Sequence, residues 1–300
     1  MKAQVNLVPN GSFEEYDSCP GGGGDFTVKH WFSPTSTSPD YYNPCNILDS
    51  GVPWNLYGYQ YPSQGIAYTG IVLGMASDFE YREYLAVKLV KTLIKGQKYK
   101  YSYSIVGSES SPYGSNNFGI LFITDTIAIK SNISSTTVYV EGLLSNSAIN
   151  YPIIITDTTY WTEISGEYIA SGCENYLILG NFANKNDTDH TISDGNYEVY
   201  YYVDDVILSE SVKPRNPNIF TPNDDSNNDI FILSDTELFD PLLKILNRWG
   251  EVVFESNMLT WDGFAGVEKA PDGVYFYVLI GTDICAKREE KKTGFIQLVR

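Results

Sequence analysis

The feature that most constrains the fold is a strict alternation of residue types between positions 98 and 105. Tyr99, Tyr101, Tyr103 and Ile105 fall on one side of an extended chain, and lysine and serine fall on the other. A period of two puts alternate side chains on opposite faces, so the segment predicts a half-buried β-strand. The chain holds 24 tyrosines and only 3 methionines, a bias that favours pleated surfaces over helices. We therefore predict an all-β protein.

Further strands are predicted wherever similar runs recur between loops rich in Gly, Ser, Asn and Asp. These runs lie at residues 120–123, 151–155, 176–179, 198–208, 243–248, 252–255, 274–280 and 294–300. The segment 81–94 is ambiguous, because its leucines repeat at helical spacing while residues 83–89 also alternate. We favour a strand there, since residues 95–97 then form a turn into the tyrosine-rich strand.

Two prolines mark a break between two domains. Pro214 and Pro217 would interrupt any strand ladder, because proline has no N–H to donate. We predict a first domain at residues 4–211, a linker at 212–218 and a second domain at 219–300. The second domain holds several short strands separated by turn signals, which fits a small β-sandwich.

Charge and hydropathy exclude several classes of partner. The formal net charge is −17, and nucleic acid and anionic membrane surfaces both repel such a protein. No apolar run approaches the ~20 residues of a membrane-spanning helix. A secretory signal is also missing from the start, where Met1-Lys2-Ala3-Gln4 fits a start codon placed before a mature N-terminus.

The four cysteines fall into two kinds of context. Cys19 and Cys45 each adjoin a proline in loop-like sequence, which predicts a surface disulfide formed in an oxidising compartment. Cys173 and Cys285 lie far apart and in different predicted domains, so we expect two free thiols.

Five ordered motifs cover the C-terminal segment. They are PNIFTPNDD at 217–225, KILNRWGEVVFE at 244–255, WDG at 261–263, PDGVYFY at 271–277 and GFIQLVR at 294–300. The segment resembles the gliding-motility-associated C-terminal domain, the type B sorting signal of the type IX secretion system. The resemblance implies an immunoglobulin-like β-sandwich and export to the cell surface or medium. It also implies partners in the type IX machinery and at an outer-membrane barrel.

The N-terminal region is similar to a second, looser group. NLVPNGSFEE at 6–15 and YVDDVIL at 202–208 resemble the opening and closing strands of galactose-binding-like jelly rolls, the architecture of many carbohydrate-binding modules. The resemblance implies a jelly-roll β-sandwich at residues 4–211.

Two adjacent carboxylates predict a cation site in the first domain. Asp204 and Asp205 sit in an apolar strand, so one of them faces an interior whichever face is buried. A buried carboxylate needs a cation or several donors. In the modules that the region resembles, a structural calcium lies between first-strand and last-strand residues, which implies Glu14 or Glu15 with Asp204 or Asp205. The alternative is that these carboxylates cap turns or pair with lysines.

An aromatic cluster predicts a ligand-binding surface. Trp54, Tyr57, Tyr59 and Tyr61 fall within eight residues, and exposed aromatic faces can stack on a pyranose ring. The alternative is that they anchor loops and fill a core.

The oxygen-rich segment 223–229 invites a comparison with calcium loops, but its spacing is not that of an EF-hand. Asn and Asp also build turns by bonding their own backbone, and we favour that interpretation.

Catalysis has little support in the sequence. His30 and His190 lie in unrelated loops, and no nucleophile elbow, phosphate-binding loop or dinucleotide fingerprint is present. We predict a non-enzymatic, exported binding protein whose ligand is a glycan or a surface protein. The alternatives are a scaffold that docks onto an outer-membrane barrel or adhesin and, less favoured, a glycoside hydrolase.

Overall fold

The structure is a computed structural model that describes residues 5–75, 81–111, 113–124, 148–183, 187–191, 197–211, 218–233 and 238–300. The chain divides into two compact units, residues 1–211 and 212–300. The predicted linker, apart from Asn218, lies outside the described residues. No helix among the described residues is both long enough and apolar enough to cross a membrane.

The described part of the first unit contains twelve strands. They are β1 Trp31–Phe32, β2 Asp40–Tyr42, β3 Trp54–Asn55, β4 Gly58–Tyr59, β5 Tyr68–Met75, β6 Leu85–Lys88, β7 Lys98–Gly107, β8 Phe118–Ile123, β9 Ile149–Tyr151, β10 Thr162–Ile169, β11 Tyr176–Asn181 and β12 Glu198–Glu210. Two five-stranded sheets form, in the orders β1-β6-β11-β8-β9 and β10-β7-β12-β5-β2, and β3 pairs with β4 as a separate hairpin.

The main core of the first unit follows the alternation in β7. Tyr99, Tyr101, Tyr103 and Ile105 are all buried in one apolar cluster with residues of both sheets. The prediction of a half-buried strand is therefore confirmed. On β12, Tyr201 joins the same core, while its neighbours in sequence belong to a separate buried cluster.

The N-terminal segment is fixed against the end of β12. Asn6 donates from Nδ2 to the Val206 carbonyl and accepts from the Leu208 N–H, and the Val206 N–H donates to the Gly11 carbonyl. A Cβ atom at Gly11 would lie 2.0 Å from the Val206 carbonyl oxygen, so only glycine permits this approach.

Nine strands lie in the described part of the second unit. They are β13 Ile219–Phe220, β14 Phe231–Ile232, β15 Leu238–Leu246, β16 Val252–Ser256, β17 Thr260–Trp261, β18 Phe264–Ala265, β19 Glu268–Lys269, β20 Gly273–Asp283 and β21 Arg288–Leu298. A five-stranded sheet runs in the order β13-β21-β20-β15-β16, and β14-β17 and β18-β19 form two short ladders. Trp261 is buried in the core with Tyr275 and Leu298.

The all-β prediction is confirmed, and three details of it are corrected. The predicted strand at 151–155 is wrong beyond Tyr151, because Pro152 cannot extend the ladder. The segment 81–94 forms a strand only at Leu85–Lys88. The last strand begins at Arg288 and not at Gly294, since its charged half pairs with the end of β20.

Cysteine pairing is partly as expected. Cys19 and Cys45 are bonded to each other, with Cα atoms 6.0 Å apart. The expectation of free thiols at Cys173 and Cys285 is wrong, because the described residues include no free cysteine.

Replacing both Cys19 and Cys45 with alanine should lower the free energy of unfolding of the first unit. The bridge closes a sequence separation of 26 residues, and the loss of such a cross-link is worth roughly 3 kcal/mol through the unfolded chain. Urea unfolding measures this. The control is Ser18→Ala, which leaves in place the carbonyl of residue 18 that accepts from Thr27. An unchanged unfolding midpoint in the double variant would contradict a stabilising role.

Candidate functional site

The aromatic residues predicted to bind a ligand lie on the β3–β4 hairpin and just after it. Trp54 and Tyr59 are directly paired across the hairpin, with ring centroids 4.6 Å apart. Tyr61 extends the cluster, its ring centroid 5.4 Å from that of Tyr59. Trp54 is 69% exposed and Tyr61 is 60% exposed. These three residues therefore form one continuous and largely exposed aromatic surface.

The hairpin is anchored on the sheet by side-chain hydrogen bonds. Asn55 donates to the Tyr68 hydroxyl at 2.9 Å and accepts from the Tyr202 hydroxyl at 2.8 Å. The indole N–H of Trp161 donates to the Tyr61 carbonyl at 2.8 Å. Because Tyr68 and Tyr202 are themselves buried, the aromatic surface is held in a defined position.

Tyr57, the fourth predicted residue, points into a neighbouring cleft of about 430 Å³. Its ring stacks on that of Tyr200, with centroids 3.7 Å apart and planes 9° from parallel. Its hydroxyl donates to Oε2 of Glu198 at 3.1 Å, and Glu198 also lines the cleft. The predicted cluster is thus divided between an exposed surface and a concave one.

Three carboxylates line this cleft, and the sequence did not single out any of them. They are Asp40, Glu83 and Glu198, which come from distant parts of the chain. Asp40 accepts from the Tyr200 hydroxyl at 2.6 Å and from the Gly24 N–H. Glu83 accepts from the Tyr81 hydroxyl at 2.8 Å and from the Val72 N–H at 2.9 Å.

Burial raises the pKa of two of these carboxyl groups. Desolvation is the largest cause for both, and it raises the pKa of Glu83 to about 8 and that of Asp40 above its ordinary value. Hydrogen bonds from Tyr200 to Asp40 and from Val72 to Glu83 act in the opposite direction. No lysine, arginine or histidine is among the described residues that line the cleft, so the site is rich in acceptors.

The disulfide lies close in sequence to one wall of the cleft. Cys19 begins the glycine-rich segment whose residues Gly23 and Gly24 line the cleft. Beside the bridge, Asn46 donates from Nδ2 to the Pro20 carbonyl at 2.7 Å. Gly24 of this segment donates its N–H to Asp40.

The residues predicted to bind calcium lie elsewhere, around segment 64–67. Oε1 of Glu14 accepts from the N–H groups of Ile66 and Ala67, and Oδ2 of Asp204 accepts from the Gln64 N–H. A carboxylate of the N-terminal segment and one of β12 thus converge on one segment, but each meets N–H donors there.

The other two predicted ligands differ from this pair. Glu15 uses its main-chain N–H and carbonyl to bond the Asn10 side chain. Asp205 adopts a positive φ of 51° and donates its N–H to Oδ1 of Asp204. Among the described residues, no three acidic, histidine or cysteine side chains are grouped to hold a metal ion. Calcium binding by these four residues stays a prediction.

The oxygen-rich segment of the second unit is a turn. Oδ1 of Asp229 accepts from the N–H groups of Asn223 and Asp224, and its Oδ2 accepts from the Ser226 N–H. A single carboxylate thus satisfies three backbone donors, which is the role favoured from the sequence.

Comparison with known protein families gives a match for the second unit. Residues 214–298 match the CHU_C Type IX secretion signal domain, so the predicted sorting domain is recognised there. No curated protein matches the chain in sequence.

The first unit structurally resembles jelly-roll carbohydrate-binding domains. One is the CBM22-1 xylan-binding domain of Paenibacillus barcinonensis Xyn10C, at 14% identity and a TM-score of 0.39, covering 71% of this chain and 99% of that one. Another is the C-terminal family 22 carbohydrate-binding module of Clostridium thermocellum Xyn10B, at 8% identity and a TM-score of 0.33. This match covers 67% of this chain and 95% of that one. A third is the N-terminal cellulose-binding domain of Cellulomonas fimi β-1,4-glucanase C. Its identity is 11% and its TM-score 0.29, and the match covers 66% of this chain and 100% of that one.

The stability of the first unit should fall as pH rises from about 4 to about 8. Burial raises the pKa of Asp204 to about 8, as it does for Glu83. A folded-state pKa above the unfolded value means that the folded protein binds more protons in this window, so raising the pH favours unfolding. Melting temperatures measured in EDTA at pH 5, 6.5 and 8 test this, since bound calcium would favour the ionised form of Asp204. Asp204→Asn and Glu83→Gln should each flatten the trend, and a wild-type trend of opposite sign would contradict it.

The same melting experiment at pH 8 tests the calcium prediction. Calcium would favour the ionised form of Asp204, so EDTA should lower the melting temperature of the wild type and leave that of Asp204→Asn unchanged. Equal melting temperatures of the wild type with and without EDTA would contradict the calcium prediction. The role of these carboxylates would then be to accept hydrogen bonds from the backbone.

Proposed function

We propose that this protein is exported by the type IX secretion system, to the cell surface or the medium, and binds a glycan there through its first unit. The match of residues 214–298 to a secretion signal supports export. The observation that carries the binding proposal is the exposed aromatic surface of Trp54, Tyr59 and Tyr61 beside a cleft lined by carboxylates.

A sugar suits this combination of surfaces. Aromatic rings stack on the apolar face of a pyranose, and acceptors in a concave site bond its hydroxyl groups and so fix its orientation. A protein ligand would instead favour a flat apolar patch of several hundred Å². The cleft lined by Tyr57 and Glu198 is concave and carries polar groups, which favours the glycan over the scaffold alternative.

The protonation and packing of the cleft favour binding over hydrolysis. A glycosidase needs one carboxylic acid and one carboxylate that both reach the scissile bond. Glu83 has the raised pKa of such an acid, but it is 3% exposed and both of its oxygens accept hydrogen bonds from the protein. Asp40 is 6% exposed, and each of its two oxygens also accepts a hydrogen bond from the protein. Of the three, Glu198 alone is only partly buried.

The charge of the site indicates which glycans it accepts. Glu198, the partly buried carboxylate of the cleft, is an acceptor for a ligand that donates, as sugar hydroxyls do. A net charge of −17 and the carboxylate of Glu198 repel polyuronates and sulfated glycans. We therefore propose an uncharged polysaccharide as the ligand class.

Truncating residues of the aromatic surface should weaken retention by an uncharged glycan. In affinity electrophoresis of the full chain through gels with soluble xylan, mixed-linkage β-glucan or galactomannan, at least one should retard the wild type and polygalacturonate should not. Trp54→Ala and Tyr61→Ala should each weaken that retention at least tenfold, about 1.4 kcal/mol, because the stacking surface is lost.

Ile169→Ala serves as the control for these variants, since Ile169 is 63% exposed at the end of β10 and outside the aromatic surface. Its retention should equal that of the wild type. Retention of Trp54→Ala and Tyr61→Ala at the wild-type level would contradict the proposed site.

Export should depend on the second unit. Removing residues 213–300 should trap the first unit inside the cell envelope of a host with a type IX system, because the folded signal is then absent. Cell fractionation with surface protease digestion measures the outcome. Unchanged surface display of the truncated protein would refute the export proposal.

A further inference from the structure

The second unit has apolar side chains on both faces of its main sheet. On β20, Tyr275 and Tyr277 contribute to the core, so Phe276 between them points to the opposite, outer face. Phe276 is paired with Leu246 on β15 and with Phe295 on β21, and directly opposed residues share a face. Phe276 is 48% exposed and Phe295 is 53% exposed.

The apolar surface extends beyond these residues. Val252 on β16 is opposite Leu246 and is 51% exposed, and Val274 on β20 is 43% exposed. The solvent face of an antiparallel sheet is normally polar. A contiguous apolar patch on a soluble domain is typical of an interaction surface.

One end of this face forms a pocket of about 690 Å³. The turn after β15 forms one side of the pocket, and it presents Trp249, which is 77% exposed. Oδ1 of Asn247 accepts from the N–H groups of Trp249 and Glu251, each at 3.0 Å. Gly250 has a φ of 84°, which favours glycine at this position of the turn. The tryptophan is therefore presented on an ordered turn, so binding through it orders few additional groups.

The charge of the pocket indicates what it accepts. Arg248 alone carries a charge among the described residues that line it, and its guanidinium carbon lies 5.5 Å from the centroid of the Trp249 ring. The chain as a whole carries a net charge of −17, so this is a cationic site on an acidic protein. The complementary surface has apolar side chains beside a carboxylate. Tryptophan and arginine are also the residues that most often dominate the energetics of protein interfaces.

We propose that this outer face is the surface by which the sorting domain docks onto a protein of the secretion machinery, through a segment that carries an acidic residue beside apolar side chains. The proposal rests on the proposed export function. It names Trp249 and Phe295 as the apolar contacts, and Arg248 as the group that pairs with the partner's carboxylate.

The test measures surface display of the full-length protein in a host with a type IX system. Trp249→Ala, Phe295→Ser and Arg248→Glu should each lower the displayed fraction at least tenfold, while Arg248→Lys, which keeps the charge, should retain most of it. Val267→Ala is the matched control, because Val267 is 95% exposed on the β18–β19 turn and does not line the pocket. Melting curves of the purified variants show whether each one is folded.

The outcomes separate this proposal from the export proposal. Suppose that removal of residues 213–300 blocks display, while the folded variants Trp249→Ala, Phe295→Ser and Arg248→Glu reach the wild-type level of display. The proposed docking surface is then wrong, but export by this domain stands. If the truncated protein is displayed normally, the export proposal itself fails. Equal losses for Arg248→Glu and Arg248→Lys would overturn the role of charge.

Discussion

Both the core and the cleft of the first unit depend on the central strand β12, Glu198–Glu210. It pairs with β7 on one side and β5 on the other, and its alternation sends successive tyrosines to opposite faces. Tyr201 lies in the main core. Tyr200 and Tyr202 lie on the other face, where their hydroxyls hold Asp40 and Asn55. A shift of one residue in the register of β12 would exchange these roles and remove both the cleft and the anchor of the hairpin.

Burial of the cleft carboxylates carries a cost in free energy for this unit. A carboxyl group in an apolar environment is costly unless it is neutral or well hydrogen-bonded. Asp40 and Glu83 meet that requirement through donors from tyrosines and from the backbone. One of those donors, the Gly24 N–H, belongs to the glycine-rich segment that follows Cys19.

The sequence predicted features that depend on local pattern. The alternation at residues 98–105 placed the core tyrosines on the correct face, and the spacing of Trp54, Tyr59 and Tyr61 identified residues that form one surface. The sequence did not identify Asp40, Glu83 and Glu198 as one group, because only the tertiary fold brings them together. Their one signal was an acidic residue next to apolar strand positions, and many acidic residues in this chain share that context. The exposure of Phe276 and Phe295 could not be predicted from the sequence either. Alternation shows that the two faces of a strand differ, but it does not show which face is covered.

The central claim is that a glycan contacts the aromatic hairpin of the first unit. The five tryptophans provide a direct test, because their indole N–H groups give separate NMR signals in the full-length protein. On titration with a neutral oligosaccharide derived from the polysaccharide that retards the protein, the account predicts shifts for Trp54 and for Trp161, whose indole N–H bonds the Tyr61 carbonyl. It predicts none for the buried Trp31 and Trp261 or for Trp249 in the second unit. Shifts confined to Trp249, or saturation of binding with Trp54 unchanged, would contradict the account.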